Sequence, residues 1–148
     1  MKQTRPRSGE WVVVCDGRKA LILENVGDDK FMNLRNKEVH EHADPPTHAL
    51  GTDTPGRTHP SIGTARSAME QVDWHDASER VFLEKLVQRL DVALTAEETK
   101  AFVVIAAPRA LGMLRSAYTP AVRRAVKAEI GKDYVKMPIH EIEKIFMD

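Results

Sequence analysis

The sequence predicts a single-domain α/β fold (α+β mixed), with a mixed β-sheet of about five strands packed with helices. Three features point there. The first forty residues carry β-rich runs separated by turn signals. From Phe82 onward apolar residues recur at helical spacing. Between these patterns and the C-terminal third lies Ala101–Ala107, an almost unbroken apolar run. A chain of 148 residues is long enough to bury one core of its own.

Taken in order, Trp11–Cys15 is rich in β-branched residues and reads as a buried strand. Asp16-Gly17 tolerates positive φ and signals a hairpin, so Arg18–Asn25 returns as a second strand. Gly27-Asp28-Asp29 turns the chain again, and Phe31–His40 is expected as a third, more polar antiparallel strand near an edge. Phe82, Leu86 and Leu90, widened by Leu83 and Val87, form one helical stripe and predict a helix from about His75 to Val92. Thr95–Glu98 has capping-box spacing and starts a turn or short helix. Ala101–Ala107 is expected as a central strand covered on both faces and ended by Pro108. Leu111, Met113 and Leu114 suggest a short helix. Thr119-Pro120 then caps another, expected to run to Ile130 with Val122, Val126 and Ile130 inward and Gly131 as its stop. Lys132–Met137 is expected as a last short strand, and Pro138 opens a terminal helix with Ile139, Ile142 and Phe146 on its apolar face.

Lysine plus arginine balance aspartate plus glutamate at 22 each, so net charge gives no general pull towards nucleic acid or an anionic membrane. The single cysteine, Cys15, excludes an intrachain disulfide and reads as a small buried side chain rather than a nucleophile. No apolar segment approaches the ~20 residues of a membrane span, so no membrane insertion is expected. No apolar signal core follows the basic residues Lys2, Arg5 and Arg7. These features predict a cytoplasmic location, with residues 1–10 a flexible basic tail ahead of a single domain over 11–148.

About thirty polar residues, roughly 42–73, interrupt this domain and centre on Thr52–His59. Ordinary connections are about 4–6 residues, and much longer ones are disordered or functional. Pro55 and Gly56 set a turn there, flanked by Asp53 and Arg57. A second feature is basic: Arg109, Arg115, Arg123, Arg124 and Lys127 precede the first acid, Glu129. With Arg123 and Lys127 one helical turn apart, this face is able to hold phosphates. The plainer alternative is a solvated helix face paired with acids elsewhere.

His40 and His42 would share one face of a strand, and with His59 they are the nearest candidates for metal ligands. There is no HExxH spacing and no cysteine pair, so neither metal nor cofactor is expected. Asp16, Asp53 and Asp73 form an imaginable carboxylate set for a hydrolase of phosphodiesters or esters, with a histidine such as His59. Asp16 is better explained by the hairpin, and Asp73 with Asp76 by electrostatics at a helix start. Ser61, Ser67 and Ser78 lack a nucleophile-elbow context. Gly51, Gly56 and Gly63 lack the Gly-Lys-Ser/Thr of a phosphate loop. Non-enzymatic binding is the leading expectation.

Four stretches in order, WVVVCDGRKA over 11–20, TDTPGR over 52–57, AAPRALGMLR over 106–115 and GKDY over 131–134, resemble the bacterial host attachment protein family. That family is described as required for attachment to host cells and is related to the middle domain of peptide-chain release factors. The resemblance implies a mixed α/β domain of the translational-machinery type. It also implies that Asp53, Pro55, Gly56 and Arg57 belong to a family loop pattern. The release-factor Gly-Gly-Gln tripeptide is missing from this sequence, which puts peptidyl-tRNA hydrolysis by that route in doubt. The expected partner is RNA or the ribosome, met by the Asp53–Arg57 loop and by Arg109, Arg115, Arg123, Arg124 and Lys127. The alternative to a hydrolase or RNA binder is a protein-interaction module or homodimer that pairs through the edge at Phe31–His40.

Overall fold

Every residue of two strands, β1 (Trp11–Cys15) and β4 (Phe102–Ala106), is buried, and the rest of the chain is arranged to make that possible. The computed structural model describes residues 5–28, 30–42 and 64–147, with only the backbone of 64–75. In it β1 and β4 lie side by side and parallel, Trp11 level with Phe102 and Cys15 level with Ala106. β2 (Lys19–Asn25) returns antiparallel to β1, and β3 (Leu34–Glu41) antiparallel to β2. β5 (Val126–Ile130) runs parallel to β4 on the other side. The order is β3-β2-β1-β4-β5, the five-stranded mixed sheet that the sequence predicts.

Side chains alternate between two cores. On one face Trp11, Val13, Ile22, Phe102 and Val104 meet three helices. These are α1 (Thr64–Thr95), α2 (Pro108–Ala117) and α3 (Pro120–Ala125). α1 contributes the predicted stripe Leu83, Leu86, Val87 and Leu90. On the other face Val12, Val14, Leu23, Val103 and Ile105 are covered by Val135, Ile142 and Phe146, from the last turns and α4 (Ile139–Lys144).

The turns follow local chemistry. Asp16 Oδ1 accepts the backbone N–H groups of Arg18 and Lys19, each at 2.8 Å, so the aspartate serves the hairpin as expected. Buried Asn25 organises the β2–β3 turn: its Oδ1 accepts from Gly27 and Asn33, and its Nδ2 donates to the carbonyl of Pro6. Gly27 is required there, because a Cβ would sit 2.1 Å from the Phe31 carbonyl oxygen. The N-terminal segment expected to be flexible is held from Arg5 onward. Pro6 is buried, Gly9 N–H donates to the Asn25 carbonyl, and the Arg5 carbonyl accepts from Lys127 Nζ.

Four expectations need correction. α1 starts at Thr64, not near His75, so of the polar stretch 42–73 only residues 43–63 remain outside the described residues. Thr64–His75 holds helix formers such as Ala65, Ala68, Met69 and Gln71 without a clear apolar stripe, and periodicity alone reads such a segment as loop. β3 covers Leu34–Glu41, three residues later at its start than predicted. The helix opened by Thr119 ends at Ala125, and Val126–Ile130 is strand β5. Those five residues also alternate in strand fashion, and β4 offers them an open ladder, so tertiary pairing overrides the helical reading. Lys132–Met137 is a turn, with Met137 N–H donating to the Tyr134 carbonyl.

Both edge strands are interrupted at a lysine. Ile22 pairs with Glu38 and Leu23 with Asn36, leaving Lys37 out of register; Phe102 pairs with Val126 and Val103 with Ala128, leaving Lys127 out. Bulges and lysines on edge strands hinder pairing with another chain, which opposes edge-to-edge association through β3.

Phe146 is fully buried and closes the thinner side of the sheet. Phe146→Ala is expected to cost about 3–5 kcal/mol in urea unfolding. A loss below about 1 kcal/mol would mean that this cover does not carry the fold. Burial, assisted by the Asp16 charge, pushes the Cys15 thiol up to about 12, so a thiol reagent should react with it only as fast as the chain unfolds.

Candidate functional site

Because β1 is followed by β2 on one side and paired to β4 on the other, the carboxyl ends of β1 and β4 meet at a point where the chain's path reverses. Sheets of this kind bind ligands at that edge. Arg109, at the first turn of α2, reaches across it to two acids of α1. Its Nη2 donates to Asp76, and its Nη1 lies 2.8 Å from Glu79 Oε1. Arg109 holds the Asp76 carboxyl below its usual value. Gly17 leaves the room for Glu79, whose side chain would lie 2.6–2.9 Å from a Cβ at that position. Asp76 thus sits well inside α1, paired to Arg109 and Arg80, and does not serve the helix start.

At the same edge the chain leaves β3 at His42, whose N–H donates to the Arg18 carbonyl at 2.7 Å. The His42 ring stands against Phe82, centroids 5.9 Å apart, and its Nε2 is hydrogen-bonded to Ser78 Oγ. Next to this pair is an open depression of about 460 Å³, walled by Ala77, Val81 and Phe82 with Glu41 and Lys85 at its rim. His40 also faces α1, as the strand alternation predicts, but its Nε2 lies 2.8 Å from Glu38 Oε1. Asp53, Pro55, Gly56, Arg57 and His59 lie outside the described residues.

The basic residues do not form the single helix face expected from sequence, because Lys127 belongs to β5. Its Nζ is 2.7 Å from Glu10 Oε1. Arg115 binds Glu129 through Nε at 2.9 Å and Nη2 at 2.7 Å, and the Tyr118 hydroxyl donates to the same carboxylate at 2.8 Å. Burial pushes Glu129 upward, but the hydrogen bonds from Arg115 and Tyr118 outweigh it and hold the carboxyl below its ordinary value. Burial and the bond to Glu129 both raise the Tyr118 phenol. Arg123 lies over the Tyr118 ring, 5.5 Å from its centroid, and donates to the Arg115 carbonyl at 3.0 Å. Arg123 and its neighbour Arg124 are exposed and form no salt bridge among the described residues, although the Arg123 charge helps to lower the Glu129 carboxyl. Arg115, Tyr118, Arg123 and Lys127, together with Glu129, line a shallow groove of about 310 Å³. Arg109 stands apart from it, engaged with α1.

Elsewhere, Arg89 joins the sheet to the end of α1. It reaches Glu38 at 2.5 Å and Glu98 at 2.8 Å, with its guanidinium 5.5 Å from the Trp11 ring centre. Its hydrogen bonds pull Glu38 below the ordinary 4.5 and Glu98 with it.

Sequence reasoning found Arg115 and Lys127 but not their acidic partners, Glu129 and Glu10. It dismissed Ser78 because no local motif surrounds it. The His42–Ser78 contact spans 36 positions, and no spacing rule could have linked the two residues.

The protein family described as "protein required for attachment to host cells" matches residues 11–146. No curated protein matches the chain.

A depressed carboxyl stabilises the fold above its unfolded value and loses that contribution as pH falls through the lower folded one. Thermal stability should therefore drop below about pH 4.5 as Glu38, Glu98 and Glu129 protonate. Glu38→Gln should flatten that acid limb while lowering stability at pH 7; an unchanged pH profile would remove the Arg89 network from the account.

Proposed function

The chain belongs to the family of proteins required for attachment to host cells, and we propose that it acts by binding RNA on or near the ribosome. The contact surface in this reading is Arg123, Arg124 and Tyr118, with Arg115 beside them. One observation carries it: Arg123 and Arg124 are adjacent, exposed and in no salt bridge among the described residues, and Arg123 rests on an aromatic ring. Guanidinium groups meet phosphates bidentately, and a neighbouring aromatic ring offers a stacking surface for an unpaired base. Arg109 and Lys127, already held by acids, serve the fold in this reading. The Asp53–Arg57 loop remains a candidate second contact. The relation of that family to release-factor middle domains, implied by the sequence resemblance, favours the same class of partner. The attachment phenotype that gives the family its description would then be reached indirectly, through proteins whose synthesis the chain influences in the cytoplasm.

The footprint is small, so the salt dependence should be shallow. Two or three neutralised phosphates on single-stranded RNA give a slope of about −1.4 to −2 in log K against log salt. Ribosome co-sedimentation should show binding at low salt that fades at high salt and is lost in Arg123→Glu/Arg124→Glu. Tyr118→Ala should weaken binding by about 1–3 kcal/mol, whereas Tyr118→Phe retains the ring and most of the affinity. Binding that persists in the double charge reversal would overturn the reading.

A further inference from the structure

We infer that Ser78 and His42 form a nucleophile–base pair for acyl transfer, acting on carboxylic esters with a short apolar acyl chain. The inference does not rest on RNA binding and concerns a different part of the molecule.

The pair meets the first geometric requirement for an activated serine, a hydroxyl within hydrogen-bond reach of an imidazole nitrogen. Its place in the fold also suits chemistry. His42 is bonded to Arg18, just beyond the carboxyl end of β1, and Ser78 precedes the Glu79 that packs over Gly17. This is the sheet edge where ligands of such folds bind. The adjoining depression, about 460 Å³, is walled by Ala77, Val81 and Phe82, and Val81 is left 48% exposed there. Such walls suit a short alkyl chain. Lys85 lines the same depression and supplies positive charge for an oxyanion. A second, smaller depression of about 170 Å³ lies beside it, sharing Glu41, Phe82 and Lys85 and lined also by His40 and Leu86, and gives a place for an alcohol portion.

In the tautomer protonated at Nδ1, His42 Nε2 accepts the Ser78 proton as Oγ bonds to the ester carbonyl carbon. The same proton passes to the leaving alkoxide when the ester C–O bond breaks, giving acyl-Ser78 and the alcohol. Water then adds by the same route. Its proton passes through Nε2 to Oγ, releasing the carboxylic acid and restoring the pair.

A fluorophosphonate probe tests this directly, since a serine activated in this way displaces fluoride and keeps the phosphonyl group. Labelling should fall on Ser78 within the tryptic peptide of residues 67–80, with fragment ions separating it from Ser67. His42→Asn should slow labelling by about a hundredfold or more, and wild-type protein should hydrolyse p-nitrophenyl butyrate while Ser78→Ala does not. Val81→Trp, at an exposed position that leaves the core intact, should block butyrate hydrolysis by filling the depression. The Arg123→Glu/Arg124→Glu variant should label normally, which separates this inference from the RNA reading. No adduct on Ser78 in the wild-type protein, or equal labelling rates with and without His42, would overturn it.

Discussion

Burial of β1 and β4 on both faces is the constraint from which the rest follows. Two adjacent parallel strands with no exposed residue must be flanked by further strands and roofed on each side, because neither their side chains nor their ladder groups can meet water. β2 and β5 supply the flanks. α1, α2 and α3 supply one roof, and the segment from Tyr134 to Phe146 supplies the other. Parallel pairing also forces the long return from one end of the sheet to the other, and α1 makes that return. The carboxyl ends of β1 and β4 are thereby left together at one edge, where Arg109, Glu79, Ser78 and His42 gather.

The polar groups divide according to how much of their bonding capacity the fold consumes. Asp16 is spent on the hairpin, Asn25 on the β2–β3 turn, Arg89 on tying Glu38 to Glu98, and Lys127 on anchoring Glu10. Both sheet edges are blunted by bulged lysines, which leaves faces and helix ends to meet partners. Arg123 and Arg124 remain outside any salt bridge among the described residues.

The first four strands were legible where burial or a turn left a mark in composition: Trp11–Cys15 and Phe102–Ala106 are apolar throughout, and Asp16-Gly17 announces its turn. Val126–Ile130 was misread because Val122, Val126 and Ile130 also fit a helical stripe. Only the ladder with β4, from a part of the chain more than twenty residues away, decides between the two. The start of α1 was hidden for the opposite reason, since Thr64–His75 carries helix propensity without an apolar period. Of the candidate site, the arginines were visible as residues, but their pairing state was not. Glu129 lies only 14 positions from Arg115, yet on an element wrongly read as helix. Ser78 and His42 carry no mutual signal in one dimension.

RNA recognition by the Tyr118 surface is the central claim, and where bound RNA touches the protein tests it more directly than affinity does. Ultraviolet crosslinking of the protein on ribosomes or single-stranded RNA, followed by peptide mapping, reads that position. Adducts on Tyr118 or on the peptides bearing Arg123 and Arg124 are the predicted result. Adducts confined to β3 or to the His42–Ser78 edge, or none at low salt, would contradict it.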